Sequence, residues 1–488
     1  MIESRTLIND HAIPISMESG LMQNFALQRK KSVELRTEPL ASRKLRLKNL
    51  REWILSNRVS IQEALFADFK KHPTEVDAIE IFPLLLEIKK ALANLDSWAS
   101  PKKVATPMTM LGTRSYILYE PRGVCLIIAP WNYPFLLCVN PLVSALAAGN
   151  TAFLKPSELT PFTSTIIGRM TREVFEPSIV SCYEGGAEMS QVLMQLPFDH
   201  IFFTGSPAVG KVVMKAAAEH LTSVTLELGG KSPAIVARDA HLTDAAERVA
   251  VSKFVNNGQT CIAPDYVLVH ESIAEEYVQK LLEKTEQIFK GRNDTYEQSS
   301  SYCRIVNNHH FQRLDKIIKE TIDEGARVRL GGVSDNSTRF IQPTVLTEVS
   351  LRSRVMHEEI FGPILPVLTF STLEQAIQIV NEMPKPLALS IFSQSKAVQK
   401  RVIGETASGG ACINDCGMQF FQHNLPFGGV NNSGLGKSHG YYGFLDFSNQ
   451  KSVLKQKKGR TIFKMLYPPY TARSRKIMNW LFGFLRRF

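Results

Sequence analysis

The chain has 488 residues, 44% hydrophobic and 21% charged, with 29 glycines and 25 prolines, a balance that fits a globular protein of two or three domains and excludes disordered, repeat and fibrous classes. Its formal charge of +11 has one source: eleven Lys and Arg residues between Lys451 and Phe488, a stretch without Asp or Glu, so residues 1–450 are neutral overall and the basic total does not direct the body towards nucleic acid. Seven cysteines, odd in number and without a CxxC pair, argue against a disulfide framework or a zinc site and fit reduced thiols in the cytoplasm.

The polar, acidic start MIESRTLINDHAIPIS does not read as a secretory leader. Along residues 41–98 apolar positions recur at helical spacing (Leu47, Leu50, Trp53, Ile54, then Ile81, Leu84, Leu85, Ile88) and predict two or three helices. SYILYEPRGVCLIIAPWNYP (115–134) predicts an alternating strand, a turn at Glu120–Gly123 and a buried strand over Val124–Ala129. Next come Thr151–Leu154, a helix near 161–176, Ile201–Phe203, a helix near 208–220 and Val224–Leu228. This is the rhythm of a doubly wound parallel sheet, with a nucleotide site at its switch point. Further apolar runs at Ala234–Val236, Tyr266–Val269, Ile364–Thr369, Ser390–Phe392 and Ala411–Ile413 predict a second α/β domain, with Gly229–Gly230 as the boundary.

Three segments carry candidate chemistry. In FVNNGQTCIAP (254–264), Cys261 follows a Gly-Gln-Thr turn, where a thiol could be exposed and its pKa lowered, although a lone cysteine is more often buried and inert. In VTLELGGKSP (224–233), Glu227 ends an apolar strand and would face a cleft as a general base of raised pKa, or else cap a helix. In APWNYPF (129–135), Asn132 follows a buried strand and offers an amide to an oxyanion, or else serves a turn. Cys412 and Cys416, without a ligand cluster beside them, read as packing residues.

Taken in order, PWNYP, LKPSE, FTGSxxxG, ELGGKSP, GQTC, EEIFGP and LPFGG resemble the aldehyde dehydrogenase superfamily from about residue 35 to about residue 470. KFVNNGQTCIAPDYVL, RIVNNHHFQRL, KPLALSIF, HNLPFGGV and LYPPY are most similar to its class 3 branch, which includes fatty aldehyde dehydrogenases. The resemblance implies two doubly wound α/β domains, a Rossmann-like cofactor domain and an α/β catalytic domain, plus a small bridging or oligomerisation β element. The implied bounds are 1–227 for NAD(P) binding with a hairpin near 112–121, 228–427 for catalysis, 428–456 returning to the cofactor side, and a basic tail, 457–488.

It further implies Cys261 as nucleophile, Glu227 as base for the deacylating water and Asn132 as oxyanion donor, with no metal. In FTGSPAVG, Gly205 would permit the tight turn and Ser206 with the helix N-terminus would meet cofactor phosphate, Gly210 and Leu228 also being cofactor-binding; Lys155 and Glu158 would hold the adenosine ribose, and Glu359 and Phe361 the nicotinamide ribose. NAD is the expected cofactor, since a carboxylate repels a 2′-phosphate, while Lys155 leaves NADP open. A homodimer is also implied. Two positions depart from the class 3 pattern. Asn431 replaces a glycine where a left-handed residue is needed, which Asn tolerates, and Cys303 replaces a glycine without evident reason.

The tail SRKIMNWLFGFLRRF (474–488) predicts a basic amphipathic helix with Ile477, Trp480, Leu481, Phe484, Leu485 and Phe488 on one face. It is too short to span a bilayer, and its apolar face would rest on a membrane surface, on the body or on a second subunit. With the class 3 resemblance, this favours medium- to long-chain aliphatic aldehydes and a cytoplasmic enzyme peripheral to a membrane. A CoA-acylating aldehyde reductase and a catalytically retired membrane-bound scaffold are the alternatives.

Overall fold

Apolar runs without polar alternation are stable as strands only when both sheet faces are covered. In the computed structural model, which describes residues 15–292, 294–459, 464 and 466–486, these runs build two parallel sheets. The first has the order Gly434–Leu435, Ser223–Glu227, His200–Thr204, Val124–Ile128, Thr151–Lys155, Val180–Cys182, all parallel except the Gly434–Leu435 edge. Side chains alternate between two cores. Val124, Leu126 and Ile128 join Phe153, Ile201 and Phe203 in one, while Cys125, Ile127, Ala152 and Leu154 pack into the other with the Pro134–Ala148 helix. The chain leaves Val124–Ile128 in one direction through Thr151–Lys155 and resumes on its other side with His200–Thr204. The switch point therefore lies between Val124–Ile128 and His200–Thr204.

After Glu227 the chain crosses to the second sheet through Gly229–Gly230. Gly230 has φ 137°, and a Cβ there would lie 3.3 Å from the Pro386 Cα, so only glycine suits the crossing. The second sheet runs Arg327–Leu330, Thr344–Thr347, Ile364–Phe370, Tyr266–His270, Pro233–Val236, Ala388–Phe392, Gly410–Ile413, with only its first strand antiparallel. Each strand expected from the sequence is present to within a residue or two. The β element expected near 112–121 is a three-stranded antiparallel sheet in which Thr113–Pro121 lies between Lys102–Val104 and Ser448–Gln456.

Helices Leu40–Ser56, Arg58–Phe69 and Phe82–Trp98 cover the first sheet, the last preceded by a π-turn over Asp77–Ile81. A further helix, Ile15–Leu35, does not follow from the apolar pattern, because its inward face mixes Leu21, Phe25 and Leu35 with the buried polar residues Gln28 and Ser32. Gln28 donates to the Pro177 carbonyl at 2.9 Å, so its polarity is satisfied by backbone beside the sheet edge.

The tail forms the helix Ala472–Leu485. Ile477 and Leu481 are half-buried, whereas Trp480 and Leu485 are 69% and 66% exposed, so the predicted apolar face is only partly buried. Residues 1–14, Arg487 and Phe488, and the Phe484 side chain, lie outside the described residues. Among those described, no helix is long and apolar enough to cross a membrane.

Candidate active site

Parallel strands deliver their carboxyl ends to one edge of a sheet, and four strands of the first sheet bring candidates there. Asn132 follows Val124–Ile128, Lys155 ends Thr151–Lys155, Gly205 and Ser206 follow His200–Thr204, and Glu227 ends Ser223–Glu227. Cys261 comes from the second unit, after the Leu242–Phe254 helix and a turn in which Asn256 and Asn257 are both left-handed, φ 52° and 55°. Two consecutive left-handed residues persist only when surrounding bonds over-determine them. The Asn257 amide donates to the Cys303 carbonyl at 2.8 Å and its Oδ1 accepts from Tyr302 at 2.9 Å. Gln259 closes the turn, donating to the Asn256 carbonyl at 3.0 Å and accepting from the Val306 N–H at 3.0 Å.

Cys303 is thus at work through its carbonyl, and its side chain is buried in the core of the first unit. The other departure behaves as expected: Asn431 is left-handed, φ 54°, and its Oδ1 accepts from Lys385 at 2.8 Å.

Burial pushes the Cys261 thiol up to about 12, and the neighbouring Glu359 and Glu227 carboxylates push in the same direction. The N–H groups of Cys261 and Ile262 draw it back only in part. The expectation that the turn lowers this pKa is therefore overturned, because loss of water and two acidic neighbours outweigh two backbone dipoles. The resting residue is a thiol that needs a base.

Glu227 is buried, and burial carries its carboxyl to about 8, with the Asp446 charge adding to the shift and a hydrogen bond from Ser438 opposing it. Ser438 donates to Oε1 at 2.9 Å, while Oε2 is buried without a partner. A strand, Pro233–Val236, follows Glu227, so the helix-capping reading fails. Asn132 is buried and donates one Nδ2 hydrogen to the Gln259 carbonyl at 3.0 Å, which leaves the second for an oxyanion.

Two cavities meet this region. One, of about 260 Å³, is apolar, is lined by Leu136, Leu137, Val255, Phe420 and Cys416 among others, and includes Cys261 in its wall. The other, of about 630 Å³, is lined by Ser206, Gly230, Met356 and Glu359. Glu359 thus belongs to the second cavity while its charge acts on the cysteine of the first. Cys412 and Cys416 are buried thiols, in keeping with a packing role, and Cys416 adds a wall to the apolar cavity.

Of the expected cofactor residues, Ser206 and Glu359 line the second cavity, and its helix terminus suits a dinucleotide. Ser206 caps the Pro207–Ala218 helix through the Val209 N–H, and the first turn carries no acidic residue, so its N-terminus can receive phosphate. Gly205 serves this loop for a different reason from the one expected. Its φ is not left-handed, but a Cβ would stand 2.4 Å from the Phe203 ring. A Cβ at Gly229 would fall 2.2 Å from the Glu359 carboxylate, and one at Gly210 would lie 3.0 Å from the Leu228 side chain. Lys155 donates to Glu158 at 3.1 Å and to the Pro156 carbonyl at 2.8 Å, so these two side chains are paired at the strand end. Burial raises the Glu359 carboxyl to about 8. Phe361, left-handed at φ 48°, packs edge-on against Trp131 with ring centroids 5.2 Å apart.

Several contributors escaped sequence reasoning. Ser438 lies 211 residues from Glu227, and nothing local marks it. Lys231 carried a signal, its place in ELGGKSP: it bonds Asp265 at 2.5 Å and the Glu358 carbonyl at 3.1 Å, and Asp265 accepts from the Ile360 N–H, so the pair anchors the segment that bears Glu359.

The sequence profile of the aldehyde dehydrogenase family matches residues 22–453. This chain belongs to that family. It is 45% identical over 441 residues to the 4,4'-diaponeurosporen-aldehyde dehydrogenase of Staphylococcus aureus (strain NCTC 8325 / PS 47), covering 90% of this chain and 95% of that protein. Aldehyde dehydrogenase family 3 member A2 of Mus musculus is 43% identical, with 92% and 91% covered. The solved structure described as the substrate bound state of Staphylococcus aureus AldH superposes with a TM-score of 0.90 at 43% identity, with 94% and 99% covered. The class 3 resemblance read from the motifs stands, and the α/β fold is the family's. As an aldehyde dehydrogenase, the protein is an NAD(P)-dependent oxidoreductase that oxidises aldehydes.

Proposed function

We propose that this aldehyde dehydrogenase acts on medium- to long-chain aliphatic aldehydes, with Cys261 as nucleophile, Glu227 as general base and Asn132 as oxyanion donor. The observation that carries the reading is the apolar cavity whose wall includes Cys261. An alkyl chain entering it loses contact with water, and each buried methylene contributes about 0.8 kcal/mol.

The Cys261 sulfur attacks the carbonyl carbon and its proton passes to Glu227, whose unpartnered Oε2 is free to take it. Negative charge collects on the former carbonyl oxygen between the second Asn132 amide hydrogen and the Cys261 N–H. NAD(P), when bound, supplies the hydride acceptor, and Gly205, Ser206, Gly210, Leu228, Lys155, Glu158, Glu359 and Phe361 are the residues that would hold it. Glu227 releases the thiol proton to solvent and, ionised again, removes a proton from the water that cleaves the Cys261 thioester and releases the acid. An unpartnered carboxylate oxygen beside the thioester favours water over the thiol of coenzyme A as acyl acceptor. Glu158 favours NAD, since its carboxylate repels a 2′-phosphate, and the paired Lys155 softens that preference.

In this reading residues 1–227 bind cofactor, 228–427 supply the nucleophile, and 428–456 return to the cofactor side. A homodimer and a membrane contact through the tail complete it. The exposed Trp480, Phe482 and Leu485, with the basic residues around them, support an interfacial helix on the cytosolic face of a membrane. Initial rates on aldehydes from short to long chain, with each cofactor, test the substrate class: kcat/KM is expected to rise by roughly fourfold per methylene until the cavity is filled. A flat profile would remove the long-chain assignment.

A further inference from the structure

Lys71 and Glu80 form an ion pair at 2.9 Å with no side-chain exposure, and neither has a part in the chemistry above. A buried pair of this kind is weak evidence for stability, since an apolar replacement of similar volume is often neutral or better. What the pair touches is more informative. Glu80 Oε2 accepts from the N–H groups of Phe135 at 3.0 Å and Leu136 at 3.2 Å, in the first turn of the Pro134–Ala148 helix. Lys71 Nζ donates to the Asn132 carbonyl at 3.4 Å and lies 4.7 Å from the centre of the Tyr133 ring. The pair thus grips four of the five residues from Asn132 to Leu136.

The same short segment also reaches the cysteine turn. Glu75 accepts from the Asn256 N–H at 3.0 Å. The Asn256 amide donates to the Asn132 carbonyl at 2.9 Å and to the Gln259 carbonyl at 3.1 Å, the latter also accepting from the Asn132 amide. Tyr133 is joined to Thr260, the neighbour of Cys261, at 2.6 Å. Glu80 sits within the π-turn, a local widening that recurs at functional sites.

We propose that the buried Lys71–Glu80 pair, with Glu75, is a positioning element that holds the Asn132 amide in register with Cys261. The inference rests on the reading of Asn132 as oxyanion donor. It gives the ion pair a role that stability does not supply: it ties the strand end that carries the donor to the turn that carries the nucleophile, across the boundary between the two sheets. A misplacement of about 1 Å in such an arrangement can lower a rate about 100-fold.

The test uses the full-length enzyme with Lys71→Met, Glu80→Gln, their double variant, and each of these combined with Asn132→Ala. The double variant removes both charges of the pair together, Glu75 losing the Lys71 charge but keeping its hydrogen bond from the Asn256 N–H, and is expected to melt near the unaltered enzyme. Its kcat is expected to fall by about 10- to 100-fold with KM for the aldehyde changed by less than about threefold, the pattern of an interaction made in the transition state. In the Asn132→Ala background the same substitutions are expected to lower kcat by no more than about twofold, because residues acting as one unit are non-additive. A folded double variant with full kcat, an equal loss in both backgrounds, or a double variant that does not fold would each overturn the proposal. Full kcat in Asn132→Ala alone would instead refute the donor reading, and a loss in the double variant beside it would show that the pair acts elsewhere.

Discussion

Glu227 and Glu80 are both carboxylates buried near the cysteine turn, and the fold treats them in opposite ways. Glu80 has Lys71 on one oxygen and two backbone N–H groups on the other. Glu227 has a single hydroxyl on Oε1 and nothing on Oε2. A carboxylate whose oxygens are all occupied holds geometry, and one left short of partners in a dry site is kept basic enough to move protons. On the proposed reading, the difference separates the part of the site that reacts from the part that keeps it aligned.

The largest effect is expected at the proposed nucleophile. Cys261→Ala is expected to lower aldehyde-dependent NAD(P)H formation by at least about 10,000-fold, measured at saturating substrate. Next comes the unsatisfied carboxylate. Glu227→Gln should slow steady turnover by about 100- to 10,000-fold, and mass spectrometry of the quenched enzyme reports which of its two proton transfers is slower: an acyl group on Cys261 if it is the water step, none if it is the thiol step. Full turnover would remove Glu227 from both.

The pH dependence follows from the Glu227 carboxyl at about 8. Turnover is expected to rise by about tenfold per pH unit below that value and to level off above it, as the base ionises. Stability should move the other way. The folded chain keeps a proton that the unfolded chain releases in the ordinary carboxylate range, so stability is lost as pH rises from that range to about 8. Glu227→Gln should therefore stabilise the neutral-pH protein by an amount on the order of 2 kcal/mol, read from urea unfolding on either side of that window. A variant no more stable than its parent would mean that burial of Glu227 is not a burden on the fold.

The smallest effect concerns the tail. A chain ending at Lys458 loses seven basic residues and the Ala472–Leu485 helix. It should keep its turnover on short aldehydes and lose co-sedimentation with anionic vesicles, each cation near such a surface being worth about 1 kcal/mol. Equal sedimentation of both forms would remove the membrane from the reading.

Much of the site is legible in sequence because its pieces sit at strand ends. An apolar run that stops at Glu227, or just before Asn132, marks a carboxyl edge whatever else the chain does. The motif glycines were legible as well, although Gly205 is demanded by the Phe203 ring and not by its dihedral angle. The positioning pair was not. Lys71 and Glu80 look like ordinary members of a charged, helical segment, and their burial depends on backbone groups 55 to 61 residues further on. The Ile15–Leu35 helix was hidden for a related reason, since Gln28 and Ser32 face inward against backbone acceptors and break the apolar period.

By itself the sequence determined the α/β class, most of the strands of the two parallel sheets, the family, and the candidates Cys261, Glu227 and Asn132. These depend on periodicity and on motifs that are local along the chain. Tertiary structure alone decided the protonation of that site. The Cys261 thiol lies at about 12 and not below its ordinary value, because pKa depends on how much water and which charges surround a group, and Glu359, distant along the chain, and Glu227, from the other sheet, come near Cys261 only in the folded protein.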